Sequence, residues 1–314
     1  GQEYVMTGNR PLPSLQYPSI GSVVSSELAV SRDLPPFVAV PNTSMNGGFL
    51  GVKYNPLNTQ SSPAIGRPFE VRGLAMGGTL EEAQRREKLL GNLDVAFKGY
   101  EKSSQLIEGL DKFGQKAYDM VMSPTAKNAF DISKESPEFS KNFGDTPFGA
   151  SCLLALRLVE AGTRFVTLTY GGWDTHNSNW DRLKDRLLPP FDQGLAALFA
   201  GLETRGLLDS TAVLVTGEFG RTPKINNRPP SPGRDHYPRC MFMLTAGGSI
   251  RGGQVVGESD DNATAPKNDA ITPNDVVTTL YQNMGIDFTK EYHTSTGRPI
   301  MINRDGKPLA QLFS

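Results

Sequence analysis

The chain has 314 residues, a length that fits either two domains or one large α/β domain. Its 32 Lys and Arg against 33 Asp and Glu give a formal net charge of −1, which argues against a nucleic-acid surface as its main business. Hydrophobic residues are 38% of the chain, 33 Gly and 23 Pro make it loop-rich, and no stretch approaches the roughly 20 apolar residues of a membrane span. Two cysteines, Cys152 and Cys240, are too few for a disulfide scaffold or a thiolate zinc site, and both read as buried thiols.

Gly1 to Arg10 reads like the inside of a protein, with Tyr4-Val5-Met6 entering a Thr7-Gly8-Asn9 turn. No signal peptide is visible, and an upstream segment is expected. Up to Gly78, nine prolines between Pro11 and Pro68 exclude long helices. A short helix is expected from Ser19 to Leu28 and a strand at Phe37-Val38-Ala39-Val40, stopped by Pro41. Thr79-Leu80-Glu81-Glu82 is a capping box. It opens a predicted antiparallel helical pair that ends near Met122, an insertion over residues 79–123 with no part in chemistry. Its apolar stripe is Leu89, Leu90, Leu93 and Phe97, and its exposed face carries Glu81, Arg85, Arg86 and Lys88.

From Pro147 helix and strand alternate. A helix over Ala150–Ala161 ends at Gly162. A strand, Arg164–Tyr170, runs into Gly171-Gly172-Trp173-Asp174-Thr175-His176. A long helix from about Trp180 to Arg205 is interrupted near Pro189-Pro190. A second strand, Thr211–Thr216, leads to Gly217-Glu218-Phe219-Gly220-Arg221, and a third is Met241–Thr245. A helix over Pro273–Met284, capped by Thr272, closes the series. This alternation predicts one α/β domain over residues 1–314: a doubly wound, mostly parallel sheet flanked by helices.

In open α/β sheets, ligands bind beyond the carboxyl ends of strands. Two such ends carry polar residues that packing does not require. The first gives Asp174 and His176. The second gives Glu218 and Arg221, followed by a Pro-rich loop and Gly233-Arg234-Asp235-His236-Tyr237-Pro238. Of three histidines, two sit beside an aspartate in these loops, and imidazole with carboxylate is a ligand set for Zn²⁺, and to a lesser extent Mn²⁺ or Fe. Plainer readings stay open. Asp174-Thr175-His176 can be an Asx-turn with a surface histidine, Arg234-Asp235 an ordinary ion pair, and Glu218 a solvated carboxylate. Arg221 can cap the sheet or grip an oxyanion. His293 reads as a surface or structural histidine.

The phrases Gly172–His176, Gly217–Pro223 and Gly233–Pro238, in this order, resemble the signatures of domain-of-unknown-function family 1501, a planctomycete-type family placed near the alkaline phosphatase and sulfatase superfamily. Tyr17–Ser22, Leu158–Gly162 and Gly297–Pro299 add to the resemblance. It implies an alkaline phosphatase-like sheet with a metal cluster at its carboxyl edge. Asp174 and His176 would hold one metal and Asp235 and His236 the other, with Glu218 as a further candidate metal ligand, while Arg221, from its fork of donors, is the candidate catalytic residue. The metal implied is divalent, zinc first, with Mn, Ca or Mg as alternatives. The reaction implied is hydrolysis of a phosphate or sulfate ester, small or polysaccharide, in a protein exported to the periplasm or cell envelope, often by a twin-arginine signal. In that superfamily the first strand supplies an aspartate ligand and a hydroxyl or thiol nucleophile, both expected upstream of Gly1. The rival expectation is a non-catalytic envelope or assembly protein, with or without oligomerisation, that keeps the fold for binding.

Overall fold

A computed structural model describes residues 1–29, 33–69, 71, 123–268, 270–294 and 297–313. The helical pair expected over 79–122 lies outside the described residues. The centre is a three-stranded parallel sheet in the order β2-β1-β3, with β1 at Phe37–Val40, β2 at Leu57–Asn58 and β3 at Phe165–Leu168. All four residues of β1 are buried, as expected of a strand paired on both edges and covered on both faces. Its register with β3 sets Phe37 beside Phe165 and Val38 beside Val166. Successive side chains alternate faces, so the sheet divides two cores.

On one face lie Val38, Val40, Val166 and Leu168, under α5 (Pro147–Ala161) and α7 (Leu188–Thr204). Thr146 caps α5 through the Gly149 amide, Pro147 occupies its first turn, and Gly162 ends it at φ 107°. Leu153, Leu154, Leu156 and Leu158 of α5 are fully buried, each a gain of about 1.5–3 kcal/mol over an exposed side chain. The buried Arg157 donates to Glu135 and to the carbonyls of Asn128 and Ala129. It thereby ties α5 to α3 (Pro124–Phe130) and to the loop before α4 (Pro137–Lys141). On the other face, Phe37 and Phe165 meet edge to face at 5.1 Å beneath α2 (Ile20–Glu27). A Cβ on Gly21 would fall 2.6 Å from Phe165 and 2.7 Å from Phe37, so glycine allows α2 to lie that close. Ile20, Val23 and Val24 then join Val277, Leu280 and Tyr281 of α8 (Pro273–Asn283).

Several expectations shift. The residues before the expected Thr7-Gly8-Asn9 turn form a helix, α1 (Gln2–Thr7), which Gly8 closes at φ 70°. The long helix runs on through its prolines, and its irregularity lies ahead of them. After α6 (Asn179–Arg182), a π-helical turn spans Leu183–Leu187, and Pro189 and Pro190 sit in the first turn of α7, where a missing N–H is harmless. The second and third predicted strands do not extend a parallel sheet. β4 (Val213–Val215) pairs antiparallel with β7 (Leu244–Ala246), and between them β5 (Gly220–Arg221) pairs antiparallel with β6 (His236–Tyr237). No helix links β4 to β7, and a chain that returns without a crossover pairs antiparallel. The architecture is therefore a mixed α/β fold built on a parallel three-stranded sheet. Antiparallel pairs β8 (Glu258–Ser259) with β9 (Pro266–Asn268), and β10 (Glu291–His293) with β11 (Pro299–Met301), complete it. His293 is exposed on β10. Cys152 is buried, which pushes its thiol up to about 12, whereas Cys240 is only half-buried.

Two stability outcomes follow. Leu156 packs where α5 crosses α7 at Gly201. Leu156→Ala should cost about 2–5 kcal/mol in urea unfolding, and a loss under 1 kcal/mol would contradict this packing. At α8, burial opposes ionisation of Asp275, but bonds from the Thr272 hydroxyl and the Lys307 and Thr272 amides override it and hold the carboxyl below its ordinary value. A depressed carboxyl stabilises the fold above its unfolded pKa of about 3.9, and that contribution fades as pH falls through the folded value. Asp275→Ala should therefore be about 1 kcal/mol less stable than the parent at pH 7, with the difference shrinking below about pH 4.

Candidate metal centre

The site lies beyond the carboxyl ends of β3 and β4 and is made of loops. After β3 the chain passes Tyr170 and Trp173, whose rings meet edge to face at 5.5 Å. Tyr170 stacks on Phe148 of α5 at 4.6 Å, and Trp173 packs edge-on against Phe191 of α7 at 5.6 Å. These aromatic contacts pin the loop to both helices just before Asp174. The buried Thr175 gives its hydroxyl to Asn179 and its amide to the Trp173 carbonyl at 2.9 Å, which turns Asp174 and His176 outward on the same side.

The second loop is built around β5 and β6, where Arg221 pairs with His236. Asn226 joins the two loops: its side chain donates to the His176 carbonyl at 3.1 Å and accepts from the Gly233 amide at 3.2 Å. Gly233 lies directly on the His176 backbone, and any Cβ there would overlap the His176 carbonyl. Arg234 donates to the carbonyls of Thr222 at 2.6 Å and Pro223 at 2.8 Å, and the Asp235 amide donates to the Thr222 hydroxyl at 3.0 Å. Every strut of this loop is a local polar bond rather than an apolar core.

The loops bring Asp174, His176 and His236 together, with one potential ligand atom from each inside a 4.8 Å span. Asp174 Oδ1 lies 3.1 Å from His176 Nε2 and 2.8 Å from His236 Nε2. The other nitrogen of His176, Nδ1, donates to Asp235 Oδ1 at 2.7 Å. A carboxylate fixing one imidazole nitrogen while the other faces a ligand site is the usual support of a metal-binding histidine. Both nitrogens of His176 therefore face carboxylate oxygens, which only accept. The His236 ring lies 4.7 Å from that of His176 and 4.3 Å from Phe219, which hold its plane.

The charges agree with this geometry. The hydrogen bond from His236, then that from Arg221, lowers the Asp174 carboxyl to about 2, and nearby His176 adds to it. Asp235 is lowered in turn by His176, with help from Asn226 and Arg228. Arg221 is fully engaged: it donates to Asp174 at 2.7 Å, to the Trp173 carbonyl at 2.9 Å and to the Arg234 carbonyl at 3.2 Å. It positions Asp174 rather than presenting an open fork. Asp235 stands behind His176 instead of beside His236 in a second ligand pair. Glu218 is exposed on the adjoining loop and is outside the three-residue set. Sequence reasoning assigned no role to Asn226, Thr222 or Gly233. Asn226 lies in a Pro-rich loop that carries no pattern of its own, and the need for glycine at 233 arises only from the other loop.

Fold and site together define an α/β protein with a candidate metal centre at the carboxyl edge of its strands. The chain belongs to DUF1501, a family described as a protein of unknown function, whose model matches residues 1–313. No curated protein and no solved structure matches it.

Gly233→Ala should push the two loops apart while leaving the core intact. The His176 and His236 ring resonances are expected to move in NMR spectra, with an unfolding midpoint close to that of the parent. Unmoved histidine resonances would contradict the loop contact.

Proposed function

We propose that the chain is a metal-dependent hydrolase of phosphate or sulfate esters, built on a doubly wound, alkaline phosphatase-type sheet and exported to the cell envelope. The observation that carries this reading is the convergence of Asp174, His176 and His236 on one point, with Asp235 behind His176. One carboxylate oxygen and two imidazole nitrogens leave a position open for water or substrate, the pattern of catalytic rather than structural zinc sites. Mn²⁺ also accepts such ligands, whereas Ca²⁺ and Mg²⁺ prefer all-oxygen sets. The family resemblance supports export and the superfamily assignment, and the position beyond two strand ends supports the site.

A divalent cation held there would neutralise ester charge and polarise the bond to be cleaved. The chain's own residues do the rest. Asp235 fixes the His176 tautomer and ring plane. Arg221 keeps Asp174 ionised and aimed at the two histidines. Phe219 shields one face of His236 from water.

A second reading rests on one observation. Thr175, the hydroxyl within the ligand-bearing turn, is buried and engaged with Asn179 and the Trp173 carbonyl, so it offers no nucleophile. A binding or assembly protein that keeps the centre without turnover fits that arrangement.

Metal analysis of the purified chain, followed by a panel of phosphate and sulfate esters, separates the two. The hydrolase reading expects bound metal and turnover that a chelator abolishes and zinc or manganese restores. Asp174→Asn should remove both, and Asp235→Asn should weaken metal affinity by about 10- to 100-fold. Metal bound without turnover of any ester supports the binding protein. A chain that takes up no metal sinks the hydrolase reading.

A further inference from the structure

Beside the metal centre lies a cavity of about 280 Å³ lined by Tyr170, Gly171, Gly172, Arg182, Arg186 and Leu187. Its two walls have different origins. One is the turn after β3, where Gly171 and Gly172 present bare backbone. Gly172 takes φ 100°, which L side chains rarely adopt, and a Cβ there would stand 3.2 Å from Leu187. That wall is therefore kept free of side chains. The other wall is the end of α6 and the π-helical turn that follows, and π turns inside helices are frequent at functional sites. The Tyr170 hydroxyl closes the seam by donating to the Leu187 carbonyl at 3.3 Å.

Arg182 and Arg186 stand four residues apart, one turn of helix, and so share a face. Among the described residues, neither guanidinium makes an ion pair or a side-chain hydrogen bond, and neither Asp181 nor Asp185 reaches them. In the neighbouring loop Arg221 is engaged on Asp174, Arg228 on Asp235, and Arg234 on two carbonyls. Two like charges one turn apart repel unless something negative sits between them. A planar fork of donors on each suits a tetrahedral oxyanion. The volume falls just below the roughly 300–1,000 Å³ of sites that enclose whole ligands, as expected of a space that takes one group of a larger molecule. Gly172 is two residues from Asp174, a chain span of at most about 7 Å.

We propose that this cavity is an anion subsite that holds a second phosphate or sulfate group of the substrate, while the group to be cleaved sits at the Asp174, His176 and His236 cluster. The substrate class is then a polyanionic ester, bisphosphorylated or multiply sulfated, rather than a simple monoester. This rests on the hydrolase reading for the fate of the ester, but the subsite itself is testable by binding alone.

The test uses the full chain with Trp180→Phe, which leaves Trp173, edge-on to Tyr170, as the single tryptophan reporter. Fluorescence titrations compare glucose 1,6-bisphosphate with glucose 6-phosphate, and glucose 3,6-disulfate with glucose 6-sulfate. The doubly esterified member of at least one pair should bind about tenfold tighter than its partner, and the pair that shows this identifies the anion. Arg182→Gln with Arg186→Gln should abolish the preference, and Arg186→Lys alone should keep part of it. Circular dichroism of the double variant should match the parent. Equal binding within both pairs, or a preference that survives loss of both arginines, would overturn the subsite. The same titrations on Asp174→Asn keep the two readings apart. There the monoesters have only the subsite to occupy, so binding that Arg182→Gln with Arg186→Gln removes supports the subsite even if no ester is ever hydrolysed, and the absence of such arginine-dependent binding overturns the subsite whatever the parent chain hydrolyses.

Discussion

The hydrogen bond from His176 Nδ1 to Asp235 Oδ1 spans 59 residues of sequence and joins two loops that share no strand ladder. Its geometry is what makes the rest of the centre possible. With Nδ1 held at 2.7 Å, the Nε2 of the same ring can only point toward Asp174. Gly233 and Asn226 make that approach feasible, one by lacking a Cβ and the other by bridging the two backbones. The neighbouring β5 and β6 pair then fixes His236 opposite Arg221, so two of the three partners of Asp174 arrive from one two-residue ladder.

That ladder also balances charge. Asp174 is exposed, and its oxygen receives Arg221, His236 and His176 at 2.7, 2.8 and 3.1 Å. The carboxyl is lowered to about 2, so it stays ionised at neutral pH. An exposed carboxylate of this kind adds little to stability, because water screens its pairs. The arrangement therefore serves local geometry and charge more than folding, and the apolar layers under α2, α5, α7 and α8 hold the molecule together.

Much of this was legible in the residues. Phe37–Val40 and Arg164–Tyr170 read as strands because β-branched and aromatic residues run between breakers, and Ala150–Ala161 read as a helix because Gly162 ends it. Asp174, His176, Asp235 and His236 stood out because the chain is poor in histidine and two of the three fall in loops beside aspartates. Pairing direction was not legible. Val213–Val215 and Leu244–Ala246 carry the same apolar signal whether they pair parallel or antiparallel, and only the path between them decides. The roles of the four acidic and imidazole groups were likewise hidden. Spacing groups Asp235 with His236, but adjacent residues on β6 and its approach point to different sides, so Asp235 supports His176 while His236 faces Asp174.

The two halves of the site are carried by β3 and β4, and these strands touch the same two cores. Val166 and Leu168 join the layer under α5 and α7, as does Val213, while Phe165 and Leu214 join the layer under α2 and α8. Yet among the described residues β3 pairs only with β1, and β4 only with β7. Shared packing fixes the separation of the two strands to within the tolerance of side chains, which is looser than a ladder of backbone hydrogen bonds. The distance between the loops they feed is therefore set locally, by Gly233, Asn226 and the His176–Asp235 bond. A centre held this way can be disturbed without unfolding the protein, and the fold can be weakened in its core without moving the ligands. Stability and site geometry are separable properties of this chain because different residues, on different scales of length, determine each.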